Sequence, residues 1–214
     1  MRSRGWLAFM LVMLAFNAVI WIGPFLQMAN SPLAQPLYQG LGYTCHQLDS
    51  RSICLFPNSS GFIQDCGLQD GQFHPYKNEA IPGLPLGYAD GYPLFSQGPI
   101  GYKVPVCARD IGIYGGMVLG GFLWVWLIPR LRCNPRDWPH PVWLVIALMP
   151  LAIDGFTQLF GWQESSNAVR LWTGLLVGVV MAFYALPSCL ILLDGEESGK
   201  ADKKTRPVAM PKSA

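Results

Sequence analysis

Four runs of about twenty apolar residues constrain this chain more than any other feature. They cover residues 6–27, 108–128, 141–160 and 167–193 of 214. At about 1.5 Å of rise per residue, a helix of such length crosses the roughly 30 Å hydrocarbon core of a bilayer. That medium leaves no water for unpaired backbone groups, so a run of this kind spans as a helix. The composition agrees, with 13% charged and 51% hydrophobic residues, where soluble domains carry about 25% charged residues. The expected fold is an all-α membrane protein, a bundle of four transmembrane helices with a long extracytoplasmic loop between helices 1 and 2. Residues 1–195 form one membrane domain, residues 28–106 are the outer loop, and residues 196–214 a disordered cytoplasmic tail.

The first run follows Arg2 and Arg4, the outline of a secretory signal as well as of a span. It is long for a signal, and no small-x-small cleavage site directly follows residues 1–30. Asn17, its strongly polar interior residue, suits a helix–helix hydrogen bond. The second run carries Gly112, Gly116 and Gly120, a small-xxx-small ladder along which another helix can approach closely. That helix is either a neighbour in the bundle or one from a second chain, which makes an oligomer through the ladder a possible partner arrangement.

Basic residues gather at the N-terminus, at Arg130, Arg132 and Arg136, and in the Lys-containing tail. The positive-inside rule then places both termini on the cytoplasmic side of the plasma membrane. It also gathers the polar residues of the spans at the outer face. His46 and Arg51 follow the first span; Cys107, Arg109, Asp110 and Tyr114 open the second. Asp154 and Gln158 lie one turn apart in the third, and Glu164, Asn167 and Arg170 head the fourth. Charges at this depth are costly unless paired or set in a wet cavity. Asp154, about two turns inside an apolar helix, must find a partner or become neutral. No basic stripe with interleaved aromatics suggests a nucleic-acid partner.

Several chemistries fit this set. Arg51, Arg109 and Arg170, with His46 and Gln158, can grip an anion such as a lipid phosphate, because guanidinium groups hold phosphate oxygens in pairs. Asp110, Asp154 and Glu164 would orient them, and the same residues also make a structural salt-bridge network. Cys45 with Cys107, and Cys54 with Cys66, can form disulfides on an oxidising side. Cys45, His46 and Cys107 with Asp110 also offer the sulfur and nitrogen ligands that zinc or copper prefers, without a CxxC or HxxxH spacing. A thiol-redox enzyme would use the same cysteines. Cys133 and Cys189 read as inert cytoplasmic thiols, and Trp124, Trp126 and Trp138 as an interfacial aromatic belt.

The blocks CHQ at 45–47 with Arg51-Ser52, VCARDIGIYGG at 106–116, DGFTQLF at 154–160 and ES-x-NAVRLWTG at 164–174 together resemble the signature of a family of small bacterial and archaeal integral membrane proteins, a domain of unknown function. The resemblance covers about residues 38–180. It implies the four-helix architecture and the importance of those blocks, and brings no activity with it. Residues 58–102 look longer than the family's connection, so Cys54 and Cys66 would belong to an insertion. The functional expectation is an outward-facing polar site that binds or transports a small anionic or lipid-headgroup ligand. Alternatives are a metal-dependent or thiol-redox membrane enzyme using Cys45, His46 and Cys107, and an accessory subunit of a larger membrane complex.

Overall fold

In the computed structural model the residues described are 3–44, 51–57, 61–69, 72–75, 101–162 and 165–205, with side chains omitted at 67–75 and 195–205. The elements are α1 (Arg4–Met28), α2 (Ala34–Gly42), β1 (Ser52–Leu55), β2 (Ile63–Gln69), β3 (Gln72–Pro75), β4 (Tyr102–Cys107), α3 (Ala108–Leu131), α4 (Val142–Leu159) and α5 (Asn167–Thr205). Among the described residues four stretches are long and apolar enough to cross a membrane: α1, α3, α4 and Asn167–Asp194 of α5.

Helix ends follow ordinary capping chemistry. The Ser3 hydroxyl accepts from the Trp6 N–H at 3.1 Å to open α1. Ser166 opens α5 in the same way, accepting from the Val169 N–H at 3.3 Å. Asp110 lies in the first turn of α3, near the positive end of its dipole.

α5 is the helix that α1, α3 and α4 all pack against. Its closest partner is α3, and glycine makes the approach possible. A Cβ on Gly116 would stand 2.4 Å from the Leu175 carbonyl oxygen, and one on Gly178 would stand 2.1 Å from that of Ile113. The two backbones therefore touch along this seam. Gly112, Gly116 and Gly120, the ladder expected to meet a neighbouring helix or a second chain, all meet α5 backbone of the same chain. The small-residue pattern specifies close approach, and the partner helix lies about sixty residues further on, Gly116 meeting Leu175 and Gly120 meeting Val179.

Toward the chain ends, Phe9, Met10, Trp124, Ala182, Leu186 and Leu190 form one apolar core. The backbone N–H groups of Arg4 and Gly5 donate to the Asp194 carboxylate at 3.0 and 3.3 Å, tying the start of α1 to α5. Trp124 is buried in this core rather than lying in an aromatic belt, whereas Trp126 and Trp138 are exposed. Arg130 covers the Trp126 ring at 3.8 Å. Asn17 donates to the Tyr114 carbonyl oxygen at 3.2 Å, the interhelical bond its position suggested.

At the opposite end the expected all-α description fails. The connection between the first two spans contains α2 and an antiparallel sheet of order β3-β2-β1-β4. β1 pairs with β2 through Ile53↔Asp65 and Cys54↔Gln64, and with β4 through Ser52↔Cys107 and Cys54↔Lys103, with a register shift between those last two pairs. Pro105 lies within that shift, where a residue lacking an N–H costs the ladder least. β4 runs directly into α3, so the sheet is fixed to the bundle covalently. Ile20, Leu41, Val104, Val106 and Ile111 bury the junction. The Tyr38 hydroxyl donates to the Lys103 carbonyl oxygen. Burial pushes this phenol well above its usual range, so it stays neutral.

Cys54 and Cys66 form a disulfide between β1 and β2 across a sequence separation of 12. A ring of this length is worth about 3 kcal/mol of loop closure. Cys54→Ala with Cys66→Ala is therefore expected to lower the unfolding free energy of the sheet end by about that amount. Denaturant unfolding followed at the sheet measures it, and an unchanged midpoint would mean that the strands hold without the bond. α5 runs as far as Thr205. The Glu, Lys and Ala content of 196–204 favours helix. Residues 206–214 lie outside the described residues.

Candidate functional site

α4 is apolar on most of its circumference, and its buried face is the stripe of Ala147, Asp154 and Gln158. That stripe brings a carboxylate and an amide to the end of the bundle where α3 and α5 begin. Arg109, in the first turn of α3, donates through Nη2 to the Asp154 Oδ2. The Asp154 side chain is 8% exposed and that of Arg109 26%. The pair links α3 to α4, two helices that each pack more extensively on α5 than on each other.

A second network joins α4 to α5. Gln158 Oε1 accepts from Arg170 Nη2 at 2.9 Å, and Gln158 Nε2 donates to the Ser165 Oγ at 3.1 Å. Arg170 Nε also donates to the Ser165 Oγ, at 2.9 Å. Gln158 Nε2 donates further to the Asp154 carbonyl oxygen at 2.8 Å, so the two networks meet on one turn of α4. Arg170, Gln158 and Ser165 are all buried. A buried group with a full set of partners is held in one rotamer, so this network fixes the α4 face toward its neighbours.

The sheet closes the same end. Asn167 Nδ2 donates to the Ser52 carbonyl oxygen at 3.2 Å and to the Asp65 Oδ1 at 2.9 Å, clamping β1 and β2 to the head of α5. Beside this clamp lies a cleft of about 290 Å³, lined among the described residues by Arg51, Arg109, Gly155, Gln158 and Leu159. The Nε of Arg51 and the Nε of Arg109 are both buried and have no hydrogen-bond partner among the described residues. A buried donor left unsatisfied costs about 1–3 kcal/mol. Both donors belong to arginines that line the cleft.

Of the residues singled out in the sequence, Arg51, Arg109 and Gln158 line the cleft, Asp154 pairs with Arg109, and Arg170 and Asn167 brace its surroundings. Two others are placed elsewhere. Tyr114 packs its ring edge-on against Phe16 at 4.5 Å between centroids, within the apolar core. Asp110 accepts from the Cys107 thiol at 3.3 Å, at the start of α3. Cys45, His46 and Glu164 lie outside the described residues, and with them the Cys45–Cys107 disulfide and the zinc or copper ligand set. Among the described residues no group of three or more His, Cys, Asp and Glu side chains could hold a metal ion. Ser52 and Ser165 entered the sequence reading only within the signature blocks, with no role at the site, and Asp65 not at all. Ser52 contributes its backbone, which no side-chain pattern reveals.

The model of the family described as "Predicted membrane protein (DUF2085)" matches residues 99–184, the segment that contributes Arg109, Asp154, Gln158 and Arg170. An uncharacterized protein of Methanocaldococcus jannaschii is 40% identical over 87 residues, covering 41% of this chain and 54% of the relative. An uncharacterized protein of Methanothermobacter thermautotrophicus is 43% identical over 82 residues, covering 38% of this chain and 69% of the relative. The chain thus spans about half of the first relative and about two thirds of the second. No solved structure matches it. With four apolar helices of spanning length and a relative matched over most of its own length, the chain belongs to the DUF2085 family of predicted membrane proteins.

Proposed function

We propose that this protein binds a small anionic ligand or lipid headgroup in the cleft between Arg51 and Arg109, at the end of the bundle closed by the sheet. The observation that carries the reading is that two arginines, Arg51 and Arg109, line one cleft and that the Nε of each has no hydrogen-bond partner among the described residues. Guanidinium forks match the oxygens of phosphate and carboxylate, and the contact is strengthened by charge. Asp154 neutralises one arginine and holds it in place, so a net positive charge remains among the described lining residues. Ser165, Gln158 and Arg170 form the rigid wall behind the site. The bias of Arg and Lys toward the opposite loop and the chain ends supports an outward-facing site, with both termini in the cytoplasm.

The test is thermal stabilisation of the purified full chain by phosphatidic acid, against phosphatidylcholine as the neutral comparison. Arg51→Gln removes one cleft cation without disturbing the Arg109–Asp154 pair. It is expected to weaken the stabilising lipid's apparent affinity at least tenfold, a loss of about 1.4 kcal/mol, at an unchanged ligand-free midpoint. Equal stabilisation of wild type and variant would remove Arg51 from the site and the reading with it.

A further inference from the structure

The cleft differs from a pocket for a soluble anion in its position and its walls. α3 and α4 each pack more extensively on α5 than on each other, and the Arg109–Asp154 pair bridges them at the sheet end. Beside that bridge the cleft is lined by Gly155 and Leu159 of α4, one helical turn apart. A Cβ built on Gly155 meets nothing within 4 Å, so the groove is open there. Leu159 is 74% exposed and Phe156 58%, on a helix long and apolar enough to span a membrane. One wall of the cleft is therefore cationic and the other is continuous with a lipid-facing surface.

Volume and charge narrow the occupant further. Pockets that enclose a drug-sized molecule measure about 300–1,000 Å³. At about 290 Å³ this cleft has room for a headgroup but not for a whole lipid. A chain attached to that headgroup must leave over Gly155 and Leu159, where it meets apolar surface. Two arginines at one cleft, one of them already paired with a carboxylate, suit an anionic acceptor with several oxygens.

Resting on the anion-site reading above, we infer that the ligand is a phosphate-headed lipid that enters sideways from the bilayer through the gap between α3 and α4. Its phosphate lies between Arg51 and Arg109, and its hydrocarbon chain runs over Gly155 along α4. Gly155 is then a specificity position, open because a chain has to pass.

The experiment is native mass spectrometry of the full chain in detergent, with four probes offered separately: dioleoylphosphatidic acid, dioleoylglycerol, oleate and inorganic phosphate. Phosphatidic acid is expected to be retained at least tenfold more than each of the others. Gly155→Trp, which puts a large side chain into open space, is expected to cut that retention at least tenfold at an unchanged melting temperature. Inorganic phosphate retained as well as phosphatidic acid would overturn lateral lipid entry and leave the anion site standing. Oleate equal to phosphatidic acid would overturn the phosphate headgroup. Dioleoylglycerol equal to phosphatidic acid would sink both the inference and the anion site. Undiminished retention in Gly155→Trp would overturn the α3–α4 gap as the route.

Discussion

Gly178→Leu is expected to abolish the native bundle. A Cβ at this position would sit 2.1 Å from the Ile113 carbonyl oxygen and 2.9 Å from its carbonyl carbon, with Gly116 Cα at 3.0 Å. Every one of these atoms is backbone, so no rotamer change relieves the overlap. α3 must move off α5, which dismantles the seam that also contains Gly112, Gly116 and Gly174. Overpacking a fitted core costs about 1–3 kcal/mol when side chains can give way, and a rigid backbone places this case at or above the upper limit. The comparison is Gly115→Leu, also on α3, where a Cβ meets nothing within 4 Å. That variant should match wild type or exceed it slightly, since glycine is a poor helix former. Unfolding in mild detergent, followed by helical circular dichroism, separates the two. Equal stability of Gly178→Leu and Gly115→Leu would refute the backbone-contact seam.

Arg109→Met is the second large effect. It strands Asp154, whose side chain is 8% exposed, beside an apolar helix. Breaking one half of a buried pair costs about 3–5 kcal/mol, because the remaining charge is left without its counterpart. Arg109 is 26% exposed, so a value near about 3 kcal/mol is expected here. The double variant Arg109→Met with Asp154→Leu removes both charges and should recover most of that loss. The recovery isolates the pair from the loss of arginine packing, as a double-mutant cycle requires. A double variant as unstable as Arg109→Met alone would mean that Asp154 is not the source of the penalty. The rescued protein should still fail to bind phosphatidic acid, which separates the structural role of Arg109 from its role in the cleft.

The spans were legible in the sequence for a simple physical reason. Hydrocarbon demands long, uninterrupted apolar helices, and four such runs stand out from the polar segments around them. The pairing of Asp154 followed from the same medium, since a charge on such a helix needs a counter-charge. What sequence could not supply was the partner, because Arg109 is 45 residues away and the choice among Arg51, Arg109 and Arg170 depends on packing. The glycine ladder was legible as a close approach but silent about whether its partner was α5 or another chain. The sheet was hidden more thoroughly. Its strands are short, SICL in β1 and YKVPVC in β4, and Pro105 interrupts the second. α2, AQPLYQGLG, carries Pro36 and two glycines, which read as turn signals. These elements are stabilised by tertiary burial against α1 and by a disulfide, and neither leaves a periodic trace. The clamp of Asn167 on Ser52 and Asp65 belongs to the same class, as it exists only once the sheet has docked on α5.

The proposed phosphate site joins Arg51 and Arg109 at the sheet-closed end of the bundle. The most direct measurement is the phosphorus bound per chain after the full-length protein is extracted in detergent and exchanged extensively into phosphate-free buffer. Arg51→Gln, and Arg109→Met combined with Asp154→Leu, would be treated in parallel. The account predicts about one phosphate equivalent per wild-type chain and less than about a tenth of that in either variant, as a tenfold or greater loss of affinity requires. Phosphorus retained equally by all three proteins would contradict it.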